Sequence, residues 1–151
     1  MQEYIDLKMP SRLLYVSSIL AFARRLAQQI GFSQTRMNDI TSVIDEVCSN
    51  AIEHGSPSET AGIDLTFHCD SSQLEVLVRD KGQNSENSWL TEGWVDEFLT
   101  RRTPGSDRGH GVYLAKKLSD HMEMQPNTHG GTDVRITFSL VVIPESVYHT
   151  V

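Results

Sequence analysis

The sequence predicts an α+β domain in which a mixed or antiparallel sheet is covered on one face by helices. Two long segments near the N-terminus, and a shorter one later, place apolar residues at helical spacing. Three other segments alternate apolar and polar residues, which is typical of strands with one buried face. The strands are grouped as hairpins with helices between the groups, and this order favours a layered arrangement.

Two amphipathic helices are predicted first. One runs over 12–30 and ends at Gly31, a residue type that favours the left-handed backbone of a helix C-terminus. The next begins after Ser33, a good N-cap, and runs to about His54, where a Gly-Ser-Pro sequence stops it. Both helices therefore carry their own start or stop signals as well as an apolar stripe.

The strands follow these helices. The alternating segments are Ile63-Leu65-Phe67, Leu74-Val76-Val78 and Val134-Ile136-Phe138-Leu140. A shorter strand around His121–Gln125 is expected to pair with the last one, and a third helix starts near Gly111. From Asp80 to about His110 the chain is polar, and a loop of this length in a compact domain is usually functional or disordered.

Length and composition limit the possible functions. The chain has 151 residues, the length of one ordinary domain, and we expect a single domain over 1–151. Its net charge of -7 argues against general nucleic-acid binding and against acidic membrane surfaces. No apolar stretch approaches the ~20 residues of a membrane span, and the N-terminus shows no signal peptide. Cys48 and Cys69 form no CxxC pair and indicate reduced thiols, so we expect a cytoplasmic protein.

Glu46, Asn50 and His54 recur at four-residue steps on the second predicted helix, so they lie on one helix face. A carboxylate and a carboxamide in register are suited to hold a hydrated divalent cation, and the Glu can orient an attacking oxygen. The alternative is a solvated polar face whose C-terminal His complements the helix dipole. Alone, the pattern favours this alternative.

Asp80 and Gly82 mark the end of the second predicted strand. A buried Asp at this place can accept a hydrogen bond from the exocyclic amine of adenine. Gly82 lets the backbone approach a flat ligand closely. Both residue types are also common in ordinary turns, so a turn is the alternative.

Glycines also open the third predicted helix and the last strand. The helix begins with Arg108-Gly109-His110-Gly111, and the strand follows Gly130-Gly131-Thr132. Two glycines at a helix N-terminus expose N–H groups to an anion such as phosphate, although a flexible cap is the alternative. The motif before the strand alone favours a simple turn. The chain has no Walker P-loop, because no GxxxxGK(S/T) occurs in it, and the glycines at 109 and 111 are no Rossmann fingerprint, because no predicted strand immediately precedes them.

Taken in order, these motifs resemble the Bergerat-type ATP site of the GHKL family, which includes gyrase, Hsp90, histidine kinases and MutL. The boxes that carry the resemblance are Asp45-Glu46-Val47-Cys48-Ser49-Asn50-Ala51-Ile52-Glu53-His54-Gly55, Asp80-Lys81-Gly82, Arg108-Gly109-His110-Gly111-Val112-Tyr113-Leu114 and Gly130-Gly131-Thr132. Each box is weak alone, but all of them occur in the family's order between about Pro10 and Val142.

The resemblance implies the Bergerat ATP-binding fold, an α/β two-layer sandwich that binds ATP and Mg²⁺ between sheet and helices, with a lid loop at about 83–110. It implies Glu46 as general base, Asn50 as Mg²⁺ ligand and Asp80 as adenine acceptor. The residues that it implies for nucleotide binding are Asn50, Asp80, Gly82, Arg108, Gly109, His110, Gly111 and Thr132.

Within the family, the chain resembles above all the small bacterial anti-sigma-factor serine kinases. This likeness implies a kinase that phosphorylates a Ser or Thr of an anti-anti-sigma protein of the STAS fold, sequesters a sigma factor and can form a homodimer. A nucleotide-gated binding module with little or no phosphoryl transfer is the alternative, because Asp107 stands where the family lid often has a third glycine. The catalytic domain of a histidine kinase is disfavoured, since no phosphoacceptor helix pair fits into this length.

Overall fold

The computed structural model describes residues 2–56, 58–82 and 110–140 of the chain. The elements within these ranges are β1 (Glu3–Met9), α1 (Val16–Ile30), α2 (Gln34–Gly55), β2 (Ile63–Cys69), β3 (Gln73–Arg79), α3 (His110–Leu118), β4 (His121–Pro126) and β5 (Thr132–Ser139). A turn of 3-10 helix, Leu13–Tyr15, leads into α1. Within the described residues, every helix and strand expected from the sequence is present, and β1 is an additional strand. A short helix that the sequence suggests at 94–99 lies outside the described residues.

The described strands form one antiparallel sheet with the order β1-β2-β3-β5-β4. The two expected hairpins are confirmed, since β2 pairs with β3 and β4 pairs with β5. β5 lies beside β3, with Val76 opposite Ile136, which leaves β4 at one edge of the sheet and β1 at the other. Of the mixed and antiparallel alternatives, the described strands therefore follow the antiparallel one.

The edge strand β1 was missed by the sequence prediction. Ile5, Leu7 and Met9 do alternate with polar residues, and the register places Leu7 opposite Leu65 of β2. Only Met9 is fully buried, while Ile5 and Leu7 are partly buried against the core. A short strand at an edge buries little surface, so its alternation is a weak signal until a neighbouring strand is known.

The hydrophobic core lies between α1, α2 and one face of the sheet. Every second residue of β2 is buried, and Ile63, Leu65 and Phe67 join the helices in this core. Phe22 of α1 meets Phe67 edge-on, with ring centroids 5.1 Å apart. Full burial of a large apolar side chain contributes roughly 1.5–3 kcal/mol, so this layer is a major source of the stability of the fold.

Both cysteines are free, as the lack of a CxxC pair predicted, and both are buried. Burial, with a smaller effect of the Asp45 carboxylate, raises the pKa of Cys48 to about 12. Burial likewise raises the pKa of Cys69. Since the thiolate is the reactive form, both side chains act as small apolar residues of the core.

The long helix α2 carries most of the predicted site residues. It begins at an N-cap, Ser33, whose side chain accepts a hydrogen bond from the N–H of Arg36 at 3.2 Å. It ends at Gly55, and the following Ser56 is buried and donates its hydroxyl to the carbonyl oxygen of Ala51 at 3.1 Å. Among the described helices, none combines the length and the apolar character needed to cross a membrane.

Candidate functional site

Asp80 follows β3 directly and is almost fully buried, with 6% of its surface exposed. Its Oδ1 accepts hydrogen bonds from the backbone N–H groups of Gly82, at 3.0 Å, and of Thr132, at 2.9 Å. The N–H of Asp80 donates to the carbonyl oxygen of Thr132 at 3.1 Å. The structure thus brings together three of the residues that the sequence singled out.

The environment of Asp80 changes its acidity. Burial raises the pKa of Asp80 from its ordinary value of 3.8 to about 6, and the nearby Asp133 carboxylate acts in the same direction. The N–H groups of Thr132 and Gly82 oppose this shift, because hydrogen-bond donors stabilise the charged form. At neutral pH the side chain is mainly a carboxylate. With Oδ1 occupied by two backbone donors, Oδ2 is the oxygen best able to accept a further hydrogen bond.

Three glycines surround Asp80 at positions where a side chain would not fit. A Cβ on Gly55 would overlap the Asp80 carboxylate, and a Cβ on Gly131 would overlap the Asp80 carbonyl oxygen. Gly82 has a φ of 74° and lies against the backbone of Gly130, so that a side chain is excluded there by conformation and by space. We call Gly55, Asp80, Gly82 and Gly131 the Asp80 cradle.

Asn127 holds the turn that closes this cradle. Its Nδ2 donates to the carbonyl oxygen of Asp80 at 2.9 Å and to Oδ1 of Asp133 at 3.0 Å. Its Oδ1 accepts from the N–H groups of His129 at 3.0 Å and of Gly131 at 2.9 Å. Sequence reasoning expected a turn over 127–131 but did not assign Asn127 to the site. An Asn shortly before a Gly-Gly pair is the typical composition of an Asx turn, and that signal could have identified it.

Glu46 lies in the middle of α2 and contacts the first turn of α3. A Cβ on Gly111 would overlap the Glu46 carboxylate, so that the glycine makes room for this side chain. Asn50 lies one turn further along α2 on the same face, and both side chains are partly buried. The structure therefore joins the glycine-rich motif of α3 to the acidic residue of α2.

The remaining predicted residues divide into two groups. Arg108 and Gly109 lie outside the described residues; His110 begins α3, but its side chain is outside them too. His54, the third member of the four-residue pattern, has a side chain that is 73% exposed and 3.9 Å from the Glu53 carboxylate. It belongs to the solvent-facing end of α2 rather than to the cradle.

The helix α2 links two different chemical environments. Glu46 and Gly55 are about 13 Å apart along its axis. At the Gly55 end, the cradle offers a buried acceptor to a flat group that donates a hydrogen bond. At the Glu46 end, Asn50 and the N-terminus of α3 suit an anion and a hydrated cation, because helix N-terminal N–H groups favour negative charge. A nucleotide carries both kinds of group.

Comparison with known families agrees with this arrangement. Residues 9–138 match the family described as the histidine kinase-like ATPase domain, and the matched range includes both ends of the site. The chain belongs to this family. Membership confirms the family that the four motifs indicated and identifies ATP as the nucleotide.

Relatives in this ATPase family are protein kinases by name. Serine-protein kinase RsbW of Bacillus subtilis (strain 168) is 26% identical over 144 residues, which cover 89% of this chain and 84% of the relative. Serine-protein kinase RsbW of Bacillus pumilus (strain SAFR-032) is 27% identical over 140 residues, covering 89% of this chain and 85% of the relative. These names agree with the serine-kinase expectation.

A solved structure confirms the family fold. The RsbU and RsbW domains of a Mycobacterium tuberculosis protein superpose with a TM-score of 0.65 at 20% identity. The match covers 90% of this chain and 31% of that longer chain, so it supports the fold and not a shared activity. The expected α/β two-layer sandwich is therefore confirmed.

A separate open depression of about 480 Å³ adjoins the C-terminal end of α2. It is lined by Ser11, Arg12, Leu13, Leu14, Ile52, Ser56, Ser58 and Glu59. It includes none of the predicted ATP-site residues. The Asp80 cradle and the Glu46–Gly111 contact therefore remain the candidate site.

Proposed function

We propose that this chain is an ATP-dependent serine/threonine protein kinase that phosphorylates an anti-anti-sigma protein of the STAS fold and is itself an anti-sigma factor. The observation that carries this proposal is the placement of the Asp80 cradle and the Glu46–Gly111 contact at two points of one helix, α2. Family membership and the names of the relatives support it. Such a regulator would act in the cytoplasm on protein partners, and it could form a homodimer.

The Asp80 cradle fits the adenine base. Two backbone N–H groups donate to Oδ1 of Asp80, so Oδ2 is the oxygen best able to accept a hydrogen bond from a ligand. The exocyclic amine of adenine is a donor of matching chemistry. Gly82 and Thr132 would shape the pocket through their backbones, because a side chain at Gly82 is excluded. Asp80 would thus select adenine by a charge-assisted hydrogen bond in a buried site.

The middle of α2, around Glu46 and Asn50, would receive the phosphates. Bound ATP with Mg²⁺ supplies the phosphoryl group for transfer. Asn50 would ligate the cation through its carbonyl oxygen, since Mg²⁺ is typically held by few protein ligands and several waters. Gly111 would present backbone N–H groups of the α3 N-terminus to the phosphates. We propose that Arg108, Gly109 and His110 extend this surface within a lid at about 83–110.

Glu46 would be the general base. Its carboxylate is partly buried beside Gly111, at the end of the site that suits phosphate. From there it could accept the proton of a substrate Ser or Thr hydroxyl. In phosphoryl transfer most of the rate comes from positioning and charge stabilisation, and the base orients the attacking oxygen.

The test is phosphoryl transfer from γ-labelled ATP in the presence of Mg²⁺ and candidate STAS proteins. We expect label on a Ser or Thr of one candidate, and loss of label with Glu46→Ala while ATP still binds. Glu53→Ala is the matched control, because it removes an exposed carboxylate from the same helix. Full transfer by the Glu46→Ala variant would contradict the base assignment.

A second outcome would favour the nucleotide-gated binding module. Asp107 places a carboxylate in the glycine-rich lid motif, where it would repel phosphates. If ATP binds tightly but no candidate becomes labelled, the chain senses the nucleotide without transferring its phosphate. Replacement of Asp107 by glycine would then be the variant that restores transfer.

A further inference from the structure

Arg36, in the first turn of α2, joins three parts of the fold. Its Nη1 donates to the carbonyl oxygen of Leu118 at 2.5 Å and to the Asp39 carboxylate at 3.3 Å. Its Nη2 donates to Oδ2 of Asp120. The guanidinium also lies over the Phe138 ring, 5.3 Å from the centroid. One side chain therefore connects α2 with the last residue of α3 and with β5.

The groups around this junction are themselves fixed. Oδ2 of Asp120 also accepts the N–H of Ser139 at 2.7 Å, and the N–H of Asp120 donates to Thr137 at 3.0 Å. Ser119 closes the same helix end, because its hydroxyl and its N–H both donate to the carbonyl oxygen of Ala115. A guanidinium at a helix C-terminus also complements the helix dipole.

The other end of α3 lies at the ATP site. α3 runs antiparallel to α2, since Leu118 contacts Arg36 while Gly111 contacts Glu46. The two contact points are about 15 Å apart along α2. α3 thus lies against α2 at both of its ends: Arg36 hydrogen-bonds to Leu118 at one end, and Gly111 packs closely against Glu46 at the other.

We propose that Arg36 is a positioning residue for the ATP site: by fixing the C-terminal end of α3 it holds Gly111 against Glu46. The inference rests on the proposed function, because it assigns Arg36 to the phosphate end of that same site. Arg36 itself is too far along α2 to touch the nucleotide there. It acts by setting the position of α3 relative to α2, through charge-assisted hydrogen bonds that are roughly twice as strong as neutral ones.

The choice of arginine follows from this role. A guanidinium is planar and donates from two nitrogens at once, so it can hold a carbonyl oxygen and a carboxylate in one geometry. Lysine has a single ammonium group and cannot reproduce that arrangement. Arg36→Lys should therefore retain the charge of the junction but loosen α3, and its effects should fall between those of wild type and Arg36→Ala.

The experiment compares wild type, Arg36→Ala, Arg36→Lys and Arg24→Ala. The last is the matched control, because Arg24 donates to Asn38 of α2 and, within the described residues, makes no hydrogen bond or ion pair with α3. Hydrogen exchange is followed in the peptides of α3 and α1, and the affinities for ATP and for adenosine are measured by titration. Adenosine probes the Asp80 cradle without the phosphate end.

For Arg36→Ala we expect faster exchange confined to α3 and unchanged affinity for adenosine. ATP affinity should fall about tenfold, equivalent to about 1.4 kcal/mol. Arg24→Ala should match wild type. An equal loss of ATP and adenosine affinity would overturn the proposal, since it would indicate general weakening of the fold. Unchanged ATP affinity despite faster exchange in α3 would overturn it as well.

Asp120→Asn provides a second variant if Arg36→Ala does not fold. It removes the charge that pairs with Arg36 and leaves an amide oxygen to accept the Ser139 N–H. We expect the affinity for ATP to fall by less than it does in Arg36→Ala, and the affinity for adenosine to stay unchanged. If the wild-type chain binds neither ligand, the proposed function fails. If the wild-type chain binds ATP and adenosine, and the variants bind ATP with the wild-type affinity, the proposed function stands and only the role of Arg36 is rejected.

Discussion

Gly55, at the end of α2, lies so close to the Asp80 carboxylate that a Cβ on Gly55 would overlap Oδ2 and Cγ of Asp80. The contact joins the C-terminal end of the helix to the end of β3, and it places a helix terminus beside a buried acid. Because Oδ1 is already occupied by two backbone N–H groups, Gly55 lies on the side of the remaining oxygen. The absence of a side chain at Gly55 therefore leaves the space that the Asp80 carboxylate occupies.

The first prediction concerns Gly55→Ala. The added methyl group must displace either the Asp80 carboxylate or the end of α2. We expect a loss of about 1–3 kcal/mol in the free energy of unfolding, the usual range for overpacking. We also expect strongly reduced affinity for ATP, because the displaced carboxylate no longer meets adenine. Denaturant unfolding and calorimetric titration measure the two effects.

A double-mutant cycle with Asp80→Ala is the control for this prediction. Removal of the carboxylate leaves space for the new methyl group, so Gly55→Ala should cost less stability in the Asp80→Ala background. Residues in direct contact typically show coupling of about 0.5–3 kcal/mol. Equal costs in both backgrounds would show that the steric contact is not the cause.

The second prediction is that Asp80→Asn weakens ATP binding by roughly 1.5–3 kcal/mol, the range for hydrogen bonds to charged groups. The amide oxygen must remain at the position of Oδ1 to accept the N–H groups of Gly82 and Thr132. The amide NH₂ then replaces Oδ2, so a hydrogen-bond donor faces the exocyclic amine of adenine, which is itself a donor. An unchanged dissociation constant would rule out the adenine role.

The pH dependence of binding gives the third prediction. Protonation of Asp80 removes the charged acceptor, so ATP affinity should decrease as the pH falls through about 6, the raised pKa of Asp80. Phosphate groups also titrate at a pKa of about 6 and contribute to any such profile. The informative quantity is therefore the ratio of wild-type to Asp80→Asn affinities. A ratio that is constant between pH 5 and 8 would contradict the assignment.

The fourth prediction concerns stability without ligand. Between pH 3.8 and about 6 the native state binds more protons at Asp80 than the unfolded state does, so stability falls as pH rises through this window. Below it both states are protonated and the penalty is absent. Above it the penalty is complete; the full shift corresponds to at most about 3 kcal/mol, and solvent screening of the carboxylate reduces the penalty below this limit. We expect Asp80→Asn to be more stable than wild type at pH 7.5.

Denaturant unfolding of both proteins from pH 4 to 8 tests this sign. The stability difference between Asp80→Asn and wild type should shrink toward zero near pH 4, where the wild-type carboxyl is also uncharged. The prediction is contradicted if the wild type is more stable than Asp80→Asn at pH 7.5. The hydrogen bonds to the Asp80 carboxylate would then outweigh the cost of burying its charge. Together, the second and fourth predictions describe an acid that favours ligand binding at the expense of stability.

The fifth prediction is that Asn127→Ala destabilises the fold and weakens ATP binding. The substitution removes four hydrogen bonds, including those to the Asp80 carbonyl and from the Gly131 N–H. At roughly 0.5–1.5 kcal/mol for each bond, we expect a loss of about 2–6 kcal/mol in the free energy of unfolding. His129→Ala is the control, because only the backbone of this exposed turn residue takes part. Thermal and denaturant unfolding, followed by ATP titration, would compare Asn127→Ala with His129→Ala. Equal stability of these two variants would exclude the role of the Asn127 side chain.

Much of the fold was predictable because its signals are local. The apolar stripe and N-cap of α2, and the alternation in β2, β3 and β5, depend on residues a few positions apart. β1 was not predicted, because an edge strand with partial burial becomes recognisable only when it pairs with β2. Asp80, Gly82 and Thr132 were selected by motif order, and the structure brings them together; their roles in binding remain proposals.

The sequence by itself determined the helices, most strands, the order of the motifs and the family to which they point. Only the tertiary structure decided that Gly55 adjoins Asp80, that Gly111 adjoins Glu46 and that Arg36 meets the end of α3. The physical reason is the range of the interactions. Helical and strand periodicity arises within a few residues, whereas these contacts join distant segments whose proximity exists only after the sheet and helices have packed.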